Sequence, residues 1–437
     1  MSELINTQRD IQQERALIIS VILPKREIDI HDPLGELRSL ARTAGAKVVD
    51  EMIAKRTRVH PGLYVGTGKA QEIADRVVQN DVTTVIFDND LSPGQIRDLE
   101  KVIGCKVLDR SEVILDIFAA NARTNEARLQ VELAQLEYTY PRLRNMWTHL
   151  ERMAGGASSA AAAVGGIGTR GPGEKQLEID RRLVQRRVSQ LKERILEVDG
   201  RKQRMVSSRQ DEFRVCLVGY TNAGKSTVMN LFTDAGVFVA DKLFATLDTR
   251  TRRWKLGDGQ SVLLSDTVGF ISDLPHHLVA SFRATLEEAI GADLLLHVAD
   301  ASHERVLHQM EAVNEVLDEM GIAEKSRLLL LNKIDRIQDP SVRVVLAGKY
   351  PDAIFLSAAT GENADKVVAA LSQRMSGQHV TVELNADVTN GRLMQFLARY
   401  AQMSNQAYEG RSVKMTATLK QRYLDELRQF HPAVEIL

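Results

Sequence analysis

One stretch constrains this chain more than any other: Gly219-Tyr220-Thr221-Asn222-Ala223-Gly224-Lys225-Ser226, two glycines flanking four residues and then Lys-Ser. That spacing works only between a strand and a helix. Phe213-Arg214-Val215-Cys216-Leu217-Val218 before it is apolar and β-branched and reads as a buried strand. Thr227-Val228-Met229-Asn230-Leu231-Phe232 after it reads as a helix start. In this geometry backbone N–H groups and the helix N-terminus converge on one point, which favours a polyphosphate. Lys225 would place a charge on the β- and γ-phosphates, and the Ser226 hydroxyl, followed by Thr227, would ligate Mg²⁺. The rival reading, a glycine turn that binds nothing, must account for every fitted position and both flanks.

Further signals follow in a fixed order. Asp266-Thr267-Val268-Gly269 ends an apolar strand, so Asp266 emerges beside the phosphates, where it can hold Mg²⁺ through water, and the Gly269 N–H can meet the γ-phosphate. Between loop and Asp266, the Thr246 hydroxyl could close onto Mg²⁺ while the γ-phosphate remains, with Thr249 and Thr251 as rivals. Lys225, Thr246 and Gly269 are thus the residues expected to act on the transferring phosphate. Asn332-Lys333-Ile334-Asp335 ends another strand. A carboxylate at Asp335 accepts from guanine N1–H and N2–H₂, which adenine does not present, and a buried Asp there would reject ATP by remaining unpaired. Lys333 would lie along base and loop, Asn332 would tie the elements together, and Ser357-Ala358 would complete the base side. Each signal alone has a bland reading as a cap, turn or surface lysine. Their order, each at a strand end, points to GTP. Phe270, next to Gly269, can neither orient water nor stabilise charge, so slow intrinsic hydrolysis raised by a partner is expected.

At 437 residues the chain is long enough for several cores. Its net charge of -1 means that any affinity for nucleic acid must come from local patches. With two cysteines, Cys105 and Cys216, in apolar strand-like segments, disulfides and a zinc cage are not expected. Neither a signal peptide nor a membrane-length apolar run occurs, so a cytoplasmic protein is expected, and it is expected to be a monomer.

Four units are expected. Residues 1–122 alternate strands (Leu17–Val21, Ala46–Val49, Thr84–Phe87, Lys106–Leu108) with helices (Leu34–Ala44, Ala70–Gln79, Pro93–Val102), a parallel α/β domain. Within it, Gly66-Thr67-Gly68-Lys69 reads either as a tight turn opening a helix or as a second nucleotide site. Residues 123–210 form an antiparallel helical hairpin: Leu129, Leu133, Leu136, Tyr140, Leu143, Trp147 and Leu150 set one seam, Leu177, Val184, Val188, Leu191, Ile195 and Val198 the other. Pro141 should kink or divide the first helix. The joining loop, from Ala154 to Gly173, is too glycine-rich to pack alone. Over residues 181–209 ten basic side chains face three acidic ones, which reads as a solvated face or as a surface for RNA phosphates, with Arg170 in the loop and Arg181, Arg182, Arg186 and Arg187 on the helix. Residues 211–377 form the phosphate-loop α/β domain, with strands also at Val262–Ser265, Leu294–Val298, Leu328–Leu331 and Ala353–Leu356. Residues 378–437 read as a small β-α-β-α unit of α+β type with no chemistry-bearing motif.

Gly165-Gly166-Ile167-Gly168-Thr169-Arg170-Gly171-Pro172-Gly173-Glu174, Leu177-Glu178-Ile179-Asp180-Arg181-Arg182, the phosphate loop, Phe244-Ala245-Thr246-Leu247-Asp248 and Asp266-Thr267-Val268-Gly269-Phe270 together resemble the HflX family of translation-associated GTPases. Val65 to Lys69 and Leu115-Asp116-Ile117-Phe118-Ala119 extend the resemblance, which fades only in the tail. It implies a phosphate-loop GTPase domain, binding to the large ribosomal subunit with the hairpin loop directed at ribosomal RNA, and dissociation of stalled or stress-arrested ribosomes. An RNA-binding large-subunit assembly factor that hydrolyses GTP for release is the alternative, and a cytoplasmic signalling switch a third reading. The resemblance further implies K⁺ near Asn222 and keeps adenine nucleotide use through Lys69 open. The alanine-serine insertion at Ala157 to Ala163 departs from the family pattern.

Overall fold

The computed structural model describes residues 14–24, 31–156, 172–207, 212–233, 243–244, 249–256, 260–272, 288–376, 379–387, 389–410, 412–420, 423–430 and 435–436. In the N-terminal unit, strands β1 (Arg15–Ile22), β2 (Lys47–Lys55), β3 (Thr84–Phe87) and β4 (Lys106–Asp109) pair in the order β2-β1-β3-β4, all parallel. Strand β1 is apolar and buried along nearly its whole length, as a strand covered on both faces must be. Helices Gly35–Ala44, Thr67–Gln79 and Pro93–Ile103 lie between the strands. The last begins where Ser92 and Gln95 exchange side-chain and backbone hydrogen bonds, with Pro93 at its first turn, and ends at left-handed Gly104. Helix Arg110–Asn121, capped by Asp109, buries Val113, Ile114, Leu115, Ile117 and Phe118.

Helices Asn125–Gly156 and Pro172–Ser207 pack through Leu129, Leu133 and Leu191, with Leu136, Val188 and Ile195 beside them. Of the two outcomes expected at Pro141, a kink or a division, division does not occur: the first helix runs through it. A proline removes one hydrogen bond in a helix of 32 residues, and intact turns lie on both sides of it. The outer half of the expected seam, Leu143, Trp147, Leu150 and Leu177, and residues 157–171 of the joining loop, including the alanine-serine insertion, lie outside the described side chains or residues.

The central sheet comprises β5 (Phe213–Gly219), β6 (Arg250–Lys255), β7 (Ser261–Asp266), β8 (Leu294–Asp300), β9 (Arg327–Asn332) and β10 (Ile354–Phe355). Its order is β10-β9-β8-β5-β7-β6, parallel except where β6 runs antiparallel to β7. Strand β6 was not expected. It is a polar edge strand in which only Trp254 is buried, stacked on Phe232 at 4.2 Å. Strand β5 lies between β7 and β8, and the phosphate loop leaves its carboxyl end at the point where chain connections diverge to either side.

The tail is richer than the expected β-α-β-α unit. Strands β11 (His379–Asp387), β12 (Ala401–Glu409), β13 (Ser412–Lys420) and β14 (Glu435–Ile436) form an antiparallel sheet in the order β12-β13-β11-β14. Strand β12 escapes a sequence reading because it too is a polar edge strand. Helices Gly391–Tyr400 and Leu424–Phe430 meet at Phe396 and Phe430.

The largest apolar cluster runs unbroken from Ile18, Leu37 and Phe118 to Val215, Leu264 and Leu295, so the N-terminal and central sheets share one core. Among the described residues both cysteines are free, and no helix is long and apolar enough to cross a membrane.

Helix Arg110–Asn121 spans this shared core, and burial, followed by the nearby Glu112, pushes the Asp116 carboxyl up to about 7. Its folded-state pKa lies above its unfolded value, so the fold binds the extra proton and stability falls as pH rises from about 4 to about 7. Asp116→Asn should therefore melt at a higher temperature than wild type at pH ~8, with the gain shrinking towards pH ~5. Thermal melts at both pH values measure this, and a gain independent of pH would contradict it.

Candidate nucleotide site

The phosphate loop turns at Gly224, where φ is +96° and helix Lys225–Phe232 begins. A Cβ at Gly224 would lie 2.3 Å from Asn332 Nδ2, so both the backbone angle and the close approach require glycine. Asn332, at the end of β9, donates from Nδ2 to the Ala223 carbonyl at 2.9 Å and accepts from the Ala358 N–H at 3.0 Å. One side chain thus joins phosphate loop and base-side turn, the tying role read for it. Ser357 Oγ donates to Asp335 Oδ1 at 2.6 Å and fixes the carboxylate.

Asp335 differs from expectation in one respect: it is exposed, not buried by the protein. It stands on the single 3₁₀ turn Ile334–Arg336, projected by Lys333 in the left-handed conformation (φ +61°), where a base edge can reach it. Lys333 pairs with Asp300 at 2.7 Å, with its stem 3.9 Å from where a Gly224 Cβ would stand. Asp300 was not singled out from the sequence; the signal was an acid closing the apolar run of β8.

At the phosphate end, Lys225 is buried, and its ammonium donates to the Gly219 and Tyr220 carbonyls at 3.0 and 2.9 Å. Burial pushes its pKa down to about 8 against the pull of Asp266. Ser226 Oγ donates to Asp266 Oδ2 at 2.7 Å. Asp266 Oδ1 is buried with no hydrogen-bond partner among the described residues, and burial holds this carboxyl above the usual range. Thr227 follows in the first helical turn.

Gly269 lies against the loop: a Cβ there would meet Thr221 Cα at 2.6 Å and Lys225 Nζ at 3.0 Å. The next residue continues the contact. The Phe270 N–H donates to the Gly219 carbonyl at 3.1 Å, and the Thr221 N–H donates to the Phe270 carbonyl at 2.7 Å. The Phe270 ring is buried in the core, so it has no part in water positioning. Asn222 has φ +61° and lines a cleft of about 260 Å³ together with Tyr220, Thr221, Asp300 and Arg305.

Thr246 lies outside the described residues. Its neighbour Phe244 is placed: its N–H donates to Thr221 Oγ1 at 2.9 Å, its carbonyl accepts from Asn121 Nδ2 at 2.9 Å, and its ring meets Phe118 edge-on at 4.7 Å. Of the rivals, Thr251 is taken into the sheet, its hydroxyl 2.9 Å from Ser265 Oγ.

Arg170 and the Arg181 side chain also lie outside the description. Arg182 and Arg186 are exposed. Arg187 pairs with Glu132 at 2.7 Å and Lys192 with Glu137 at 2.8 Å, so part of the basic helix is neutralised by its partner helix. In the N-terminal unit, Gly66 has φ +84° and opens helix Thr67–Gln79, while Lys69 pairs with Glu72 at 2.8 Å, an arrangement that the tight-turn reading accounts for.

Three family models match in succession: "GTP-binding GTPase N-terminal" at residues 31–119, "GTP-binding GTPase Middle Region" at 121–209, and "50S ribosome-binding GTPase" at 214–333. The chain is 43% identical to GTPase HflX of Lacrimispora saccharolytica over 413 residues, 94% of each chain. It is 45% identical to GTPase HflX of Escherichia coli K12 over 383 residues, 87% of each. A solved GTP-binding protein from Sulfolobus solfataricus in complex with GDP is 23% identical, with a TM-score of 0.42, over 82% of this chain and 98% of that one.

The exposed Asp335 carboxylate gives a direct check on base recognition. An amide there accepts from N1–H and donates to a 2-carbonyl, the pattern of xanthine. Asp335→Asn should weaken GDP binding by roughly 100-fold, the equivalent of ~3 kcal/mol for mispaired polar groups, and strengthen binding of xanthosine diphosphate. Fluorescence titration with both nucleotides measures this, and unchanged preference would remove Asp335 from the base site.

Proposed function

The chain belongs to the HflX family of GTPases, and from that premise we propose that its nucleotide state controls docking on the large ribosomal subunit and the dissociation of stalled or stress-arrested ribosomes. Guanine nucleotide binding and GTP hydrolysis come with the family. The observation that carries the ribosomal reading is the 50S ribosome-binding GTPase match, which falls on the unit containing the phosphate loop.

In this reading the loop amides from Gly219 to Ser226 cradle the phosphates, and Lys225 turns from its carbonyl partners towards the β- and γ-oxygens. Gly269 contributes its N–H to the γ-phosphate, Asp335 and Ser357-Ala358 receive the base, and Asn332 and Lys333 hold these parts in register. The side chains fit a magnesium ion that accompanies the nucleotide. Asp266 Oδ1 is a buried oxygen without a partner among the described residues, and Oδ2 is already shared with Ser226. Ser226 and Asp266 would hold the ion with Thr246, and bound there it would neutralise charge between the β- and γ-phosphates. K⁺ at Asn222 belongs to the same proposal and would add positive charge on that side. Adenine nucleotide use by the N-terminal unit would require Lys69 to leave Glu72.

Catalysis lacks a water-positioning side chain after Gly269, because Phe270 is buried. A docked partner would supply what is missing by reshaping the segments around Thr246 and Gly269. The hairpin loop with Arg170, and the helix with Arg181, Arg182, Arg186 and Arg187, would provide contact with ribosomal RNA.

GTP-loaded protein added to stalled ribosomes should convert whole ribosomes into subunits in a sucrose gradient. Immature large-subunit precursors in depleted cells, with no splitting in vitro, would favour the assembly role. Reversing Arg182 and Arg186 to Glu should weaken ribosome binding and reduce the slope of log affinity against log salt by about one unit per lost phosphate contact, with GDP affinity unchanged. An unchanged slope would make this helix a solvated face.

A further inference from the structure

The N-terminal unit reaches the phosphate loop through a buried ionic cluster. Arg110, at the start of helix Arg110–Asn121, is 3% exposed and donates from Nη1 to Asp88 Oδ1 at 2.8 Å. Its Nη2 donates both to Glu36 and to the Ser272 carbonyl, the latter at 2.7 Å. Burial opposes the charged guanidinium, but Glu36 and Asp88 outweigh it and keep Arg110 protonated. Tyr220, inside the phosphate loop, is 5% exposed, and its side chain points to this cluster. Its hydroxyl donates to Glu36 Oε2 at 2.9 Å, accepts from the Ser272 N–H at 2.8 Å and lies 2.8 Å from Ser272 Oγ.

Ser272 is therefore gripped by a phenol of the phosphate loop and by a guanidinium of the N-terminal unit. It stands three residues after Gly269, and the segment between them is bonded along the loop through Phe270. Where Gly269 faces Lys225 a methyl group would already stand 3.0 Å from Nζ. Lys225 can turn aside, but Gly269 also lies against the Thr221 backbone, where a Cβ would stand 2.6 Å from Cα, so a γ-phosphate that bonds both the Lys225 ammonium and the Gly269 N–H would require residues 269–272 to lift from the loop. Lifting them breaks the contacts of Ser272 with Tyr220 and Arg110. A diphosphate, one phosphate shorter, would not need to reach Gly269 and would leave them intact.

We propose that Tyr220, Glu36 and Arg110 set the discrimination between GTP and GDP, as positioning residues that hold Ser272 down and so oppose the third phosphate. The proposal rests on guanine nucleotide binding and adds a determinant outside the phosphate site. If only the lifted state accepts the triphosphate, its apparent affinity is reduced by the fraction of lifted molecules, and weakening the grip restores it.

Tyr220→Phe removes the hydroxyl and keeps the ring and the backbone amides. Glu36→Gln weakens the same cluster from the other unit and covers the case in which the loop variant folds poorly. In each full-length variant, dissociation constants for GDP and for a non-hydrolysable GTP analogue are measured with Mg²⁺, and retained GDP binding reports a folded site. The analogue should tighten by about tenfold relative to GDP, within the ~5–150-fold range of ordinary couplings between sites. A shift towards the triphosphate in either folded variant is the expected result. An analogue-to-GDP ratio unchanged in both, or moved towards GDP, overturns the proposal. Wild-type protein that binds neither nucleotide would instead refute the guanine nucleotide reading.

Discussion

The close approach of Gly269 to Thr221 is the contact on which the nucleotide site turns. A side chain at 269 would stand 2.6 Å from Thr221 Cα, so only glycine lets the chain after β7 lie on the phosphate loop. Two backbone hydrogen bonds through Phe270 then hold it there. Each is worth about 1 kcal/mol net, so a phosphate drawn by Lys225 and the loop amides can displace the segment. In the proposed coupling the same closeness would pass the state of the phosphate end along residues 269–271 to Ser272.

What the loop gains from its surroundings is order. Asn332 bonds the loop at Ala223 and the turn at Ala358, so β9 sets the distance between the two ends of the proposed nucleotide site. On the opposite side the N-terminal unit shares its core with the central sheet and bears directly on Phe244 and Ser272, at the edges of the site. Phe118 and Asn121 hold Phe244, two residues before Thr246, and Arg110 holds Ser272. Both are thereby tied to one helix, Arg110–Asn121, capped by Asp109 at the end of β4. The N-terminal unit is thus a structural part of the proposed nucleotide site.

The nucleotide signature was legible because its requirements are local. Gly224 and Lys225 are fixed by backbone geometry over a few residues, Asp266 and Asn332 each end an apolar run that declares itself as a strand, and Asp335 follows three residues after the second. Alternating apolar strands and amphipathic helices gave the N-terminal sheet in the same way. The grip on Ser272 was not legible, since Arg110 and Tyr220 meet partners 162 and 184 residues away in sequence, and no spacing rule connects them. Asp88, Asp109 and Arg110, charges at the ends of β3 and β4, were a signal that was not singled out from the sequence. Strands β6 and β12 were missed because both are polar edges, and Pro141 does not divide its helix because a long helix absorbs a single lost hydrogen bond. The exposure of Asp335 also follows from placement: a one-turn 3₁₀ element pushes it outward, a feature that a four-residue motif does not encode.

The central claim is that a nucleotide site without a water-positioning side chain is completed by the large ribosomal subunit. GTP turnover by the full chain, measured with purified large subunits added or withheld, tests it most directly. The account predicts slow turnover by the protein alone and a large acceleration by subunits, abolished in Lys225→Ala. Equal rates with and without subunits would contradict it.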